Sequence, residues 1–304
     1  MPKSLKILTI LSAIIISGVL INATQQHSEA NKNTTAKNNS GDPYIIKAIK
    51  IPENLEFAGE KVHLSKPDIK ERIDRELLVN TYWQSNALLW IKRTHKYFPI
   101  IEPILKEKGV PDDFKYLAVI ESNLENVTSP AGAKGFWQLL KAAARENGLE
   151  VNENVDERYH LEKATRAACN YLLDAKKRFG TWTLAAASYH DGKAGLAKKL
   201  RIQQVNSYYD VLAGKNTQRY IPRILAAKEI LTHTQKYGFH FDTEDLYTMP
   251  KSSLIKIEKP ILNIASFARE YGINYKELKI LNPWLRENKL NNKSGKTYFI
   301  KIPK

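Results

Sequence analysis

In the stretch Phe114-Lys115-Tyr116-Leu117-Ala118-Val119-Ile120-Glu121-Ser122, one acid stands where the pattern calls for an apolar residue. Phe114, Leu117, Ala118 and Glu121 fall at i, i+3, i+4 and i+7, so on a helix Glu121 continues an apolar stripe. A carboxyl group there loses hydration, which disfavours its charged form and raises its pKa. A glutamic acid kept protonated near neutral pH can serve as a general acid. The same spacing also fits a glutamate that closes the last turn and points to water, and periodicity leaves both readings open.

Other residues could complete or exclude a site. Gly132 and Gly135 allow a backbone to approach a ligand closely, and Gln138 can both donate and accept hydrogen bonds. The single cysteine, Cys169, excludes an intramolecular disulfide and a thiol-ligated zinc, and its neighbours Ala167, Ala168 and Tyr171 suggest simple helix packing. The histidines at 27, 63, 95, 160, 190, 233 and 240 form no close zinc-binding pair, and no phosphate-binding glycine loop is present, so no metal and no cofactor are expected. Lys and Arg number 47 against 32 Asp and Glu, a net charge of +15 that favours a polyanion: nucleic acid, anionic lipid or an acidic cell-wall polymer.

The elements that must position these residues are mainly helical. Ile69, Ile73 and Leu77 repeat every four residues from Lys66 onward, and Trp83, Leu88, Leu89, Trp90 and Ile91 continue an apolar surface. Pro99, Pro103 and Gly109 predict short, interrupted helices. Pro111, with Asp112 and Asp113 in the first turn, starts the helix that carries Glu121. A Ser/Pro/Gly loop over 128–135 leads to a helix expected from about Phe136 to Glu146, an Ala-rich helix with Ala164, Ala168 and Leu172 on one face, a helix from Trp182 to His190, and a last one from about Pro222 through Leu231. Tyr44–Ile51 has the composition of a short strand. After Pro250 a strand, two helices and a closing strand at 297–302 form a small self-contained unit.

The N-terminus decides the compartment. Lys3 and Lys6 precede an apolar run from Ile7 to Ile21 that gives way to Asn22-Ala23-Thr24, the order of a secretory signal or an uncleaved membrane anchor over residues 1–24. A polar linker follows at 25–43. An exported chain argues against nucleic acid as the polyanionic partner.

The stretch around Glu121 resembles the catalytic segment of the lytic transglycosylases, relatives of goose-type lysozyme. Their Glu-Ser pair matches Glu121-Ser122, and their Gly-x-x-Gly-x-x-Gln loop matches Gly132 through Gly135 to Gln138. Their Ala-x-x-Tyr-Asn motif matches Ala186-Ala187-Ser188-Tyr189-His190, and their Thr-x-x-Tyr motif matches Thr217-Gln218-Arg219-Tyr220. The resemblance implies a lysozyme-like α fold in which Glu121 protonates the glycosidic oxygen between N-acetylmuramic acid and N-acetylglucosamine, then takes the proton of the muramyl 6-hydroxyl. Substrate N-acetyl oxygen and hydroxyl would replace the second carboxylate and the water of ordinary glycosidases, leaving a 1,6-anhydromuramyl end. Ser122 and Ser129 would hold Glu121 or the N-acetyl group, Gly135 and Gln138 would border the sugar, Tyr189 and Tyr220 would wall the cleft with the Tyr220 hydroxyl near Glu121, and His190 would bind substrate as a hydrogen-bond donor. His190 replaces the usual asparagine, Asn216 an acidic residue and Lys141 a proline, and the loop before Ser129 is one residue shorter than in well-known members.

The C-terminal unit resembles a LysM peptidoglycan-binding module, with Ile264–Gly272 as its first helix and Tyr275-Lys276-Glu277-Leu278 leading to Asn282-Pro283; Glu258-Lys259-Pro260 replaces the usual Gly-Asp-Thr turn. The expected fold class is therefore mainly α, a lysozyme-like catalytic domain followed by a small α+β LysM-like module. The expected order is leader or anchor 1–24, linker 25–43, extension 44–97, catalytic domain 98–245 and module 250–304. The partner implied is the peptidoglycan glycan strand in the periplasm or cell envelope, reached by an exported chain held at the membrane if the leader is uncleaved. A peptidoglycan-binding scaffold without turnover and a lysozyme-like hydrolase are the alternatives on the same fold.

Overall fold

Glu60 and Phe57 belong to a minimal antiparallel hairpin, β1 (Glu56–Phe57) and β2 (Glu60–Lys61), in a computed structural model that describes residues 46–293 and 295–304. The leader or anchor expected at 1–24 and the linker at 25–43 lie outside the described residues. Ala58 and Gly59 form the hairpin turn with φ of 52° and 75°, the left-handed pair that tight hairpins require. Residues 46–51 form no strand, contrary to the composition of Tyr44–Ile51. Ile49 and Ile51 pack on the core instead, and a strand needs a ladder partner as well as apolar residues.

Helix α1 (Pro67–Tyr82) starts on a proline whose fixed φ suits a first turn, and it buries Ile69, Ile73 and Leu77. Helix α2 (Gln84–Lys108) runs unbroken through Pro99 and Pro103, where short helices were expected. Both prolines lie on the exposed side, so the carbonyls they free can reach water, while Ile101, Ile104 and Leu105 hold the opposite face in the core. A 3-10 turn at Asp112–Phe114 leads into α3 (Lys115–Ser122), and Asn123 closes it at φ 54°.

The helix expected from Phe136 is only α4 (Lys141–Glu146), because the backbone turns left-handed at Gly135 and again at Gln138. Helices α5 (Leu161–Phe179), α6 (Trp182–Asp191), α7 (Lys193–Gln203), α8 (Lys215–Gln218) and α9 (Tyr220–Thr232) complete the body. α9 packs on α1 and α3, and α5 packs on α2 and α6, around Phe57, Phe114, Leu117, Trp137, Leu172 and Ile224.

Beyond these, β3 (Ser252–Ile257) pairs antiparallel with β4 (Tyr298–Pro303), Ile255 opposite Ile300, and α10 (Ile264–Glu270) and α11 (Tyr275–Leu281) pack between them in sequence. Asn263 and Asn274 cap the two helices, the latter in a reciprocal box with Glu277. The small core of Ile264, Leu278, Leu285 and Ile300 also takes in Val155 and Tyr159 from the helical body. Module and body thus share buried residues. Among the described residues no helix is long and apolar enough to cross a membrane.

Candidate active site

Glu121 sits in the last turn of α3, half-buried, with its Oε1 accepting a hydrogen bond from the Tyr220 hydroxyl. Burial pushes its carboxyl above the usual range, while the Tyr220 hydrogen bond and the nearby Arg223 charge pull the other way without cancelling it. Tyr220 opens α9 and is 2% exposed, so water cannot substitute for its hydroxyl. Its ring stacks on His190, centroids 5.0 Å apart and planes 22° from parallel. Burial, opposed by Asp191 and assisted by Arg223 and Lys199, moves His190 below its ordinary value and favours the neutral ring.

A cleft of about 510 Å³ opens over the acid, lined by Glu121, Ser129, Gln138, Tyr189, His190 and Asp191 among others. Tyr189 donates to Trp137 O at 2.7 Å, tying α6 to the loop across the cleft. Gln138 has φ 46°, and its amide nitrogen donates to Val127 O and Gly135 O at 3.1 and 2.9 Å, which spends its donor on the loop. Ser129 Oγ accepts from Ala133 N at 3.1 Å and still borders the cleft.

Three expected site residues do not line it. Tyr220 stands behind Glu121, its hydroxyl donating to the carboxyl. Ser122, expected to hold Glu121 or the N-acetyl group, is 6% exposed and donates to Phe136 O at 2.8 Å and Ala118 O at 3.1 Å. Its place in the last turn of α3 turns its hydroxyl to the loop backbone, so it staples loop to helix. Gly135 does not line the cleft either, and its α-carbon is pressed against another chain segment. A Cβ there would lie 1.9 Å from Arg158 O, and φ is 78°.

Asp191 lines the cleft as a second carboxylate, but both oxygens are engaged. Thr217 Oγ1 donates to Oδ1 at 2.7 Å and Lys199 Nζ to Oδ2 at 2.6 Å. The threonine of the Thr-x-x-Tyr motif therefore binds α8 to α6. Among the described residues, Glu121 is left as the cleft carboxylate without a cation directly on it.

Several residues that position the site carried no signal in the sequence. Glu60 reaches the N-terminus of α6, accepting from Trp182 N at 2.6 Å, Thr183 N at 2.8 Å and Thr183 Oγ1 at 2.7 Å. Burial raises its pKa, but Thr183, the two backbone donors and Lys176 together hold it below the ordinary value. Glu76, 1% exposed on α1, accepts from Arg219 Nε at 2.5 Å and fixes the residue before Tyr220. Arg158 and Asp156, 4% and 3% exposed, form a bidentate pair at 2.9 and 2.7 Å. The same guanidinium donates to Gly132 O at 3.1 Å and Leu139 O at 3.2 Å, the two ends of the glycine loop. Cys169 is fully buried and its thiol is pushed up to about 12, in keeping with packing rather than nucleophilic duty.

An inward acid on a short helix, gripped from behind by a tyrosine and faced by a glycine loop, defines a lysozyme-like transglycosylase domain. Residues 98–211 match the transglycosylase SLT domain and residues 253–304 the soluble lytic transglycosylase C-terminal LysM-like domain, so the chain carries both SLT modules in series. It is homologous to the membrane-bound lytic murein transglycosylase D of Escherichia coli strain K12, 25% identical over 314 residues that cover 96% of this chain and 68% of that protein. The protein of the same name from Escherichia coli O6:H1 matches to the same extent.

Proposed function

We propose that this chain is a peptidoglycan lytic transglycosylase that cleaves the β-1,4 bond between N-acetylmuramic acid and N-acetylglucosamine and leaves 1,6-anhydromuramyl ends, with Glu121 as the only acid and base. The observation that carries the single-acid reading is the state of the two cleft carboxylates: Asp191 is saturated by Thr217 and Lys199, whereas Glu121 is desolvated and held toward its protonated form. A double-displacement glycosidase needs a second free carboxylate as nucleophile. Here the substrate's own N-acetyl oxygen takes that part.

Glu121 begins protonated and gives its proton to the leaving glycosidic oxygen. As a carboxylate it then receives the 6-hydroxyl proton while that oxygen closes on the anomeric carbon. The Tyr220 hydroxyl stabilises the carboxylate stage. Neutral His190 and the loop bearing Ser129 and Gln138 orient the sugar in the cleft. The net charge of +15 suits an acidic wall polymer. A leader or anchor over residues 1–24 would place the enzyme in the envelope, at the membrane if uncleaved, with the polar linker 25–43 giving it reach.

The test is mass spectrometry of the products released from purified peptidoglycan by the wild-type protein and Glu121→Gln. Anhydromuramyl fragments from the wild type, absent from the variant, are expected. Reducing-end products would make the chain a hydrolase, and binding without release would make it a scaffold.

A further inference from the structure

The C-terminal module meets the helical body along residues 150–162, through groups that are buried or fully engaged. Asp156 N donates to Trp284 O at 2.9 Å, and Arg286 N donates to Asn154 O at 2.9 Å. Asn154 spans the joint, its amide donating to Lys289 O at 2.7 Å and its carbonyl accepting from Asn291 N at 2.8 Å. Val155 and Tyr159 lie in the module's own core beside Leu285, and the Arg286 guanidinium sits 4.2 Å over the Tyr159 ring. Tyr298 reaches Glu150, and Lys301 pairs with Glu162.

The same short segment holds the active-site loop. Asp156 orients Arg158, whose guanidinium binds the carbonyls of Gly132 and Leu139. Arg158 O packs where a Gly135 Cβ would stand. Tyr159 contributes its hydroxyl to Thr128 at 3.0 Å. Gln138, Ser129 and the Phe136 carbonyl that receives Ser122 all lie on that loop, so its shape sets the wall opposite Glu121.

We propose that Arg158 is a positioning residue for the active-site loop and that the C-terminal module, by docking on residues 154–159, keeps Arg158 in place, so that the module supports turnover directly in addition to any contact with the polymer. The inference rests on the transglycosylase reading of the cleft. A guanidinium suits this role because its planar fork meets a carboxylate on one side while two further N–H groups meet separate carbonyls; a lysine has no such fork. A bidentate pair with a fixed carboxylate leaves the fork no freedom to follow a displaced loop. Misplacement of a site by about 1 Å costs on the order of 100-fold in rate.

The experiment uses the full chain. Arg158→Lys keeps the charge and loses the fork, Asp156→Asn keeps the shape and loosens the pair, and Leu285→Ala weakens docking from the module side. kcat and KM for anhydromuramyl release are measured below the melting temperature of each variant, with glycan binding measured separately by co-sedimentation. The expected result is a kcat lowered about 10- to 100-fold in Arg158→Lys, with KM within about threefold and binding retained. Leu285→Ala is expected to lower kcat as well, and the double variant to fall little below Arg158→Lys alone, since both act through one contact. An unchanged kcat in Arg158→Lys and Asp156→Asn, or effects of Arg158→Lys and Leu285→Ala that simply multiply, would overturn the proposal. Should Arg158→Lys fail to fold, Asp156→Asn carries the same comparison. Wild type and Glu121→Gln run alongside: no anhydromuramyl product from the wild type would sink the functional reading itself, whereas an active wild type with an unaffected Arg158→Lys sinks only the loop-positioning role.

Discussion

Tyr220→Phe isolates the hydrogen bond that reaches Glu121, the proposed catalytic acid. The hydroxyl donates to Glu121 Oε1 and stabilises the carboxylate, so it lowers a pKa that burial raises. At 2% exposure the site admits no water in its place, and the phenyl ring preserves the stacking on His190. A hydrogen bond to a charged group contributes about 1.5–3 kcal/mol, and one pKa unit corresponds to about 1.4 kcal/mol. Removing the donor should therefore raise the Glu121 pKa by about one to two units. In a profile of kcat/KM against pH, the alkaline limb reports the group that must be protonated in the free enzyme. That limb should move upward by the same amount, measured as soluble fragment release from peptidoglycan, with turnover kept on the acid side of it. A limb that stays in place or moves down would refute the argument that Tyr220 holds the carboxylate and that Glu121 must enter the reaction protonated.

Three further outcomes follow from the same contacts. Glu121→Gln should abolish activity yet stabilise the fold at alkaline pH: a carboxyl whose folded pKa is raised contributes stability below its unfolded pKa and loses it as pH rises through the folded value, so the melting-temperature gap over wild type should grow from pH 4 to pH 8 and vanish at the acid end. Glu60→Ala has the opposite sign, because the lowered pKa of Glu60 supplies stability above its ordinary value of 4.5 that is lost as pH falls below it. Denaturant melts should show a loss of about 3 kcal/mol at neutral pH for the three hydrogen bonds removed, shrinking in acid. Gly135→Ala places a Cβ 1.9 Å from Arg158 O at φ 78°, and urea titration should show a loss of about 3 kcal/mol or more together with collapse of activity.

Much of the helical body was readable from local pattern. The four-residue repeat of Ile69, Ile73 and Leu77 gave α1, and the stripe ending at Glu121 gave α3, because a helical face depends on residues within a few turns of each other. Local pattern misled where the remedy for a breaker lies elsewhere. Pro99 and Pro103 stay inside α2 because their freed carbonyls face water and the other side of the helix is anchored in the core. Phe136–Leu140 is loop rather than helix because the backbone turns left-handed at Gly135 and Gln138, and Gly135 is packed so closely on Arg158, a residue 23 positions away, that no Cβ fits there.

The candidate site divides along the same line. Residue types and spacing drew attention to Glu121, the glycines at 132 and 135 and Gln138, while Tyr189, His190 and Tyr220 came from the resemblance to the lytic transglycosylases, whose motifs are each contiguous in the chain. Which side chain does what was decided by packing: Ser122 turns to a backbone carbonyl, Asp191 is consumed by Thr217 and Lys199, and Tyr220 meets Glu121 across 99 positions of sequence. Glu60, Glu76, Asp156 and Arg158 look like any surface charges in one dimension. Only folding places Glu60 at the start of α6 and brings Arg158 under the loop, where burial removes competing water and makes each of those hydrogen bonds matter.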